Sequence, residues 1–143
     1  MGLAEQFDDM RRRLSELERR MGSKARTGVV SEVDAANGLA RVRLTEGDAP
    51  MVTGWIPWVE PAAGANKTHN PPSIGQQVEI TSETGDLHDA IIQGSLNSDA
   101  NGRPSAAGDE FVLLSVGGAS IKATGGGSTI VFTVGGFSLT LSA

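Results

Sequence analysis

Cysteine and tyrosine are absent from the 143 residues, and four Phe and two Trp are the only aromatics. Without cysteine there is no disulfide, no thiolate metal site and no thiol catalysis. So few large anchors make a poor globular core, and part of the burial is expected to come from other subunits. No apolar run approaches the ~18 residues of a membrane span. The opening MGLAEQFDD lacks the basic and apolar regions of a secretion signal. Gly2 is not in a myristoylation context, because position 6 is Gln where Ser or Thr is needed. The expectation is a soluble protein made in the cytoplasm.

Positive charge is scarce outside the N-terminus. Residues 1–26 hold seven basic and five acidic side chains, a net of +2. The remainder holds 5 basic and 12 acidic ones, a net of −7, within an overall −5. Phosphate neutralisation dominates nucleic-acid affinity, so the main body is a poor partner for DNA, RNA or anionic lipid.

What is present divides into four stretches: a helix (1–22), a small β-barrel (23–96), a linker (97–110) and a β-rich tail (111–143). In the first, Leu3, Phe7, Met10, Leu14, Leu17 and Met21 follow spacings of four, three, four, three and four. That is a heptad seam two residues wide, narrower than the stripe of a helix lying on its own domain. With Phe7, Leu14 and Met21 at a and Leu3, Met10 and Leu17 at d, Arg13 falls at g and Glu18 at the following e. This pair is attractive between parallel helices. Gly22-Ser23 ends the helix. The pattern predicts a coiled coil; the competing reading packs the helix on its own domain. Phe and Met at the seam do not decide between two and three strands.

From Thr27 the period becomes alternating. Strands are expected at 27–33, 39–44, 51–58, 77–82 and 90–95, with a turn at Asp34–Gly38 and a long Pro-containing loop at 59–75. Five short strands with a long connection after the third predict an OB-type barrel, a small sandwich being the other option. An OB barrel that binds nucleic acid carries stacking aromatics beside a basic groove. Residues 39–53 have no aromatic, and Arg41 and Arg43 are offset by Glu46 and Asp48. Trp55 and Trp58, three apart around Pro57, are expected to pack at the barrel rim.

The last 33 residues contain one charge, Lys122, and seven glycines in clusters at 117–118, 125–127 and 135–136. The β-rich runs between them, almost free of charge, would aggregate if left single. A step of about nine residues suggests a β-solenoid. Three copies wound together are expected to pair each strand with a neighbour's. Ile121, Ile130, Phe132, Val134, Phe137, Leu139 and Leu141 would then be buried within, with glycines at the corners. A sticky or disordered tail is the rival reading.

Catalytic and metal motifs are missing. His88, in Asp86-Leu87-His88-Asp89, reads as an acidic turn rather than a ligand set, and His69 has no evident partner. Gly125-Gly126-Gly127-Ser128-Thr129 lacks the lysine of a P-loop, and no Gly-x-Ser-x-Gly elbow occurs. No cofactor, metal or active site is expected.

The stretches Gly28-Val29-Val30 through Val33-Asp34, Gly38-Leu39-Ala40-Arg41-Val42-Arg43, Thr53-Gly54-Trp55-Ile56-Pro57-Trp58 and Pro71-Pro72-Ser73-Ile74-Gly75-Gln76-Gln77-Val78 resemble the phage baseplate assembly protein V family. That family forms the central spike of contractile tails and is related to the type VI secretion spike. The resemblance implies a mainly β chain: an N-terminal coiled coil, an OB barrel and a short intertwined trimeric β-helix. It implies a homotrimer at the baseplate tip of a virion, synthesised in the host cytoplasm. Baseplate and tail-tube proteins would be its partners, and the host outer membrane would be pierced mechanically. Family members often end in a His-held iron. No His follows His88, so no metal is carried over, and a separate tip-capping protein is expected. The rival functions are an OB module for single-stranded nucleic acid or saccharide, and a tail-associated murein hydrolase.

Overall fold

The computed structural model describes residues 2–22, 24–44 and 51–143, which divide into two units, 1–101 and 102–143. Glu46 and Asp48, invoked above as offsetting Arg41 and Arg43, lie outside the described residues, as does Ser23.

The first unit opens with helix α1, Leu3–Gly22, in which no residue is buried. Strand β1 (Ala25–Asp34) is the centre of the following sheet, pairing antiparallel with β2 (Leu39–Leu44) on one side and with β5 (Gln77–Thr81) on the other. Strand β6 (Ile91–Leu96) extends the sheet beyond β5. The expected single strand over 51–58 is two short pieces, β3 (Met51–Val52) and β4 (Ile56–Pro57), both paired with β2. Between them Thr53 N keeps one ladder bond, to Val42 O at 2.8 Å, and its side chain replaces the other. Its Oγ1 accepts from Val42 N at 3.0 Å and donates to Gly54 O at 2.8 Å. Beyond β4, Trp58 forms a bridge with Ile92, and Val59 N donates to Ile92 O at 3.0 Å. The two ends of the sheet thus come together.

Alternation places Ala40, Val42 and Leu44 inside with Val30, Val78, Ile80, Ile56, Ala90 and Ile92, all at most 4% exposed. Gly28 permits the tight approach of β1 to β2. A Cβ there would lie 2.5 Å from Val42 Cγ1 and 2.7 Å from the Arg43 carbonyl oxygen.

The second unit is a four-stranded antiparallel meander of β7 (Phe111–Val116), β8 (Ala119–Thr124), β9 (Thr129–Val134) and β10 (Phe137–Ser142), paired in the order β7-β8-β9-β10. The expectation that each strand pairs with a neighbouring copy's is therefore corrected, since β8 and β9 are hydrogen-bonded on both sides within one chain. The glycine clusters explain the difference. Pairing of Val116 with Ala119 and of Val134 with Phe137 leaves two-residue loops. Gly117 (φ 55°) and Gly135 (φ 58°) supply positive φ at the first loop position, which a tight hairpin turn favours. The step of about nine residues averages a six-residue strand plus a two-residue loop and a six-residue strand plus the four-residue connection 125–128, a hairpin period rather than a solenoid corner.

Candidate assembly interface

The groups with chemistry in them are tied up structurally. The Glu60 carboxylate accepts from Asn70 N (2.6 Å), Trp58 Nε1 (2.7 Å) and Thr68 Oγ1 (2.8 Å), fastening the loop after β4. These bonds, the Asn70 amide first, hold its pKa below the ordinary carboxylate value. Asp89 accepts from the hydroxyls of Ser82 and Thr84, which lower its pKa in that order. His88 sits in the short 3-10 turn Leu87–Asp89 that Asp86 caps. Among the described residues no three His, Asp or Glu side chains gather as a metal site would require.

The two tryptophans part company. Trp58 is half-buried against the hydrophobic core. Trp55 is 47% exposed, with the Arg41 guanidinium 5.9 Å from its ring centroid. Arg41 is itself held by Thr53 O at 3.0 Å and Glu32 at 3.7 Å. Arg41 thus lies over one face of an otherwise exposed Trp55 ring.

The motif runs have structural work to do. In Pro71–Val78, Gly75 adopts φ 90° and donates its N–H to Val30 O at 2.8 Å, while Val30 N donates to Gln76 O at 2.9 Å. Gln76 Oε1 accepts from Ser73 N, and its Nε2 donates to Ser95 Oγ. These residues latch the loop onto β1 and β6.

Exposed apolar side chains line up along α1 and across the sheet of the second unit. On α1 the six seam residues Leu3, Phe7, Met10, Leu14, Leu17 and Met21 are all 55–70% exposed. The reading in which the helix packs its seam on its own domain is thus corrected. The helix touches the sheet unit at its C-terminal end, where a Cβ on Gly85 would collide with the Arg20 backbone. Around the seam, Arg13 pairs with Asp9 at 3.0 Å, and Arg19 and Arg20 both engage Glu16, at 2.7 and 2.9 Å. Arg19 and then Arg20 bring the Glu16 pKa down to about 2.

On the second unit, the registers put Ile130, Phe132 and Val134 of β9 opposite Leu141, Leu139 and Phe137 of β10, and opposite Ala123, Ile121 and Ala119 of β8. Phe111, Leu114 and Val116 of β7 continue the same face. Twelve residues from four strands therefore share one face, and none carries a polar side-chain atom. Phe137 is 85% exposed and Leu139 60%. The opposite face carries Ser115, Ser120, Lys122, Thr124, Thr129, Thr133, Ser138, Thr140 and Ser142 with Val112 and Val131 among them, and Lys122 reaches Glu110 at 3.5 Å. All seven tail residues expected to be buried together lie on the apolar face. The β7 residues were missed because Leu113 is an extra residue in a bulge between Val112 and Leu114, which shifts the alternation by one and masks its phase.

Residues 26–96 match the family described as the type VI secretion system/phage-baseplate injector OB domain. The chain is also 34% identical over 109 residues to the spike protein of Escherichia phage P2; the alignment covers 76% of this chain and 50% of that protein. The chain thus spans about half the length of the curated relative it matches. With an antiparallel sheet centred on β1, its motif runs serving as fasteners in that sheet, and these two likenesses, the chain belongs to the phage-baseplate and type VI secretion injector family.

Proposed function

We propose that this chain is a non-enzymatic structural subunit of the spike at the tip of a contractile injection machine, working as a homotrimer. The observation that carries the reading is the meander's twelve-residue apolar face, uncovered in a single chain. Apolar surface of that extent marks an interface. Three copies with these faces turned inward would make a closed core, the Ser/Thr faces outward. The edges of β7 and β10 then lie where neighbouring copies meet, and closure removes the exposed edge that would otherwise template aggregation.

The six-residue seam of α1 is the second association surface in this reading. A helix of about 20 residues is marginal alone in water and gains stability by association. The OB unit, with its core and fastened loops, forms the collar that docks on other baseplate proteins. The trimer carries three times −5, or −15, so attraction to an anionic envelope cannot drive entry. Sheath contraction supplies the force, and the assembled β unit supplies stiffness through mutually satisfied backbone bonds.

An antibody against this chain is expected to decorate the distal end of the baseplate in electron micrographs of the particles that carry it. Label along the tail sheath or on the head would contradict the assignment. The nucleic-acid alternative is disfavoured by the net −7 of residues 27–143.

A further inference from the structure

We infer that α1 forms a parallel, in-register, three-stranded zipper with the same helix of two further copies, selected by charge pairing across the seam. The inference rests on the trimeric reading above and adds to it the partner, direction and register of the helix. The seam is uncovered along its whole length, from Leu3 at 70% exposure to Met21 at 68%, so its occupant lies outside the single chain. The charges flanking the seam choose among occupants.

In a parallel arrangement each g residue faces the e residue five positions on in the neighbouring helix. Arg13 then meets Glu18 of the next copy, an attractive pair, and Gln6 meets Arg11, a neutral-to-cation contact. In an antiparallel arrangement, Phe7 lies beside Leu17 and Leu14 beside Met10 of the second copy. Position g now faces g, and e faces e. Arg13 comes against Arg13 and Arg11 against Arg11. Both contacts are cationic repulsions, and neither Arg11 nor any ion pair with it offers relief, because among the described residues no carboxylate lies within salt-bridge distance of Arg11. Like charges in such positions specify direction by excluding the wrong one. Arg13 is bound within its own helix to Asp9 through Nε at 3.0 Å, which leaves its terminal amino groups to reach Glu18 of a neighbour.

The natural chain has no cysteine, so single thiols report direction cleanly. Leu3→Cys and Met21→Cys are placed in the otherwise native full chain, and each is oxidised alone and after co-expression of the two. Residues 3 and 21 lie about 27 Å apart along a helix, far beyond disulfide reach. The zipper predicts disulfide-linked dimers from each variant alone, with about one thiol in three left free because three thiols meet in each layer. Cross-linking only in the mixed sample means antiparallel helices and overturns the inference. Complete consumption of thiols in pairs means two strands and overturns it too. A trimeric mass with no cross-link in any sample sinks the zipper while leaving the spike reading intact; a monomeric mass removes both. As a second measurement, Glu18→Arg is expected to slow cross-linking about fivefold, and Arg13→Glu combined with Glu18→Arg to restore it. A purely intrahelical role would tie Arg13 to Asp9, and the change at 18 would then give no rescue.

Discussion

At the scale of single residues, the fold depends on small side chains in positions where nothing else fits. Gly28→Ala would push a Cβ into Val42 and the Arg43 carbonyl. A loss of about 1–3 kcal/mol is expected, read as a lower denaturant midpoint. Thr53→Val keeps the volume but strips the acceptor from Val42 N at a site 2% exposed. An unsatisfied buried amide costs about 1–3 kcal/mol, so its midpoint should fall as well, while Thr53→Ser should stay near the wild type. Glu60 makes an acid-sensitive fastener. Its folded pKa lies below the ordinary carboxylate value, so the fold favours the charged form. That contribution is present above the ordinary carboxylate value and is lost as pH falls through the lower folded one. Trp58 fluorescence should report a step in this window, since Trp58 Nε1 donates to Glu60. In Glu60→Gln the step should vanish; its persistence would place the acid transition elsewhere.

Among the elements, how much could be read beforehand depended on how regular the pattern was. The helix was legible because its spacing is unbroken, and β2 because Ala40, Val42 and Leu44 alternate cleanly with Arg41 and Arg43. The 51–58 stretch was read as one strand because hydrophobicity continues through it. The interruption at Thr53 depends on a side chain replacing a ladder bond, and composition carries no sign of that. In the tail the apolar positions of β9 and β10 were legible, yet their pairing was not. A strand's alternation fixes its faces but not which chain supplies its neighbour. The hairpin glycines settle that locally. Gly135→Val forces a β-branched residue to φ 58°, and about 1–2 kcal/mol of strain is expected, visible as reduced thermal stability. Phe132→Asp and Leu139→Asp test the face itself. Each puts a carboxylate into the proposed shared core, costing about 2 kcal/mol or more per chain, and should dissociate the assembly. Thr133→Asp, on the opposite face of β9, should leave it intact.

At the scale of the whole molecule, the requirement for sister copies has changed its physical basis. The sequence alone suggested that residues 111–143 cannot satisfy their own backbone. The meander satisfies the backbone of β8 and β9 within one chain. It cannot cover twelve apolar side chains that share one face. In the proposed trimer, association would be driven by burial, with edge pairing as a secondary gain. Burial of this kind is insensitive to salt, whereas the charge pairs flanking α1 are screened within about 10 Å at moderate ionic strength. Raising salt should thus leave the oligomer intact while weakening any directional preference of the helices.

The central claim is most directly tested by the mass of the intact native chain in solution, measured by multi-angle light scattering across a dilution series. The account predicts three times the 14.8 kDa of one chain, unchanged at high salt. A monodisperse species of a single chain mass, with the meander folded and its apolar face open to water, would contradict it.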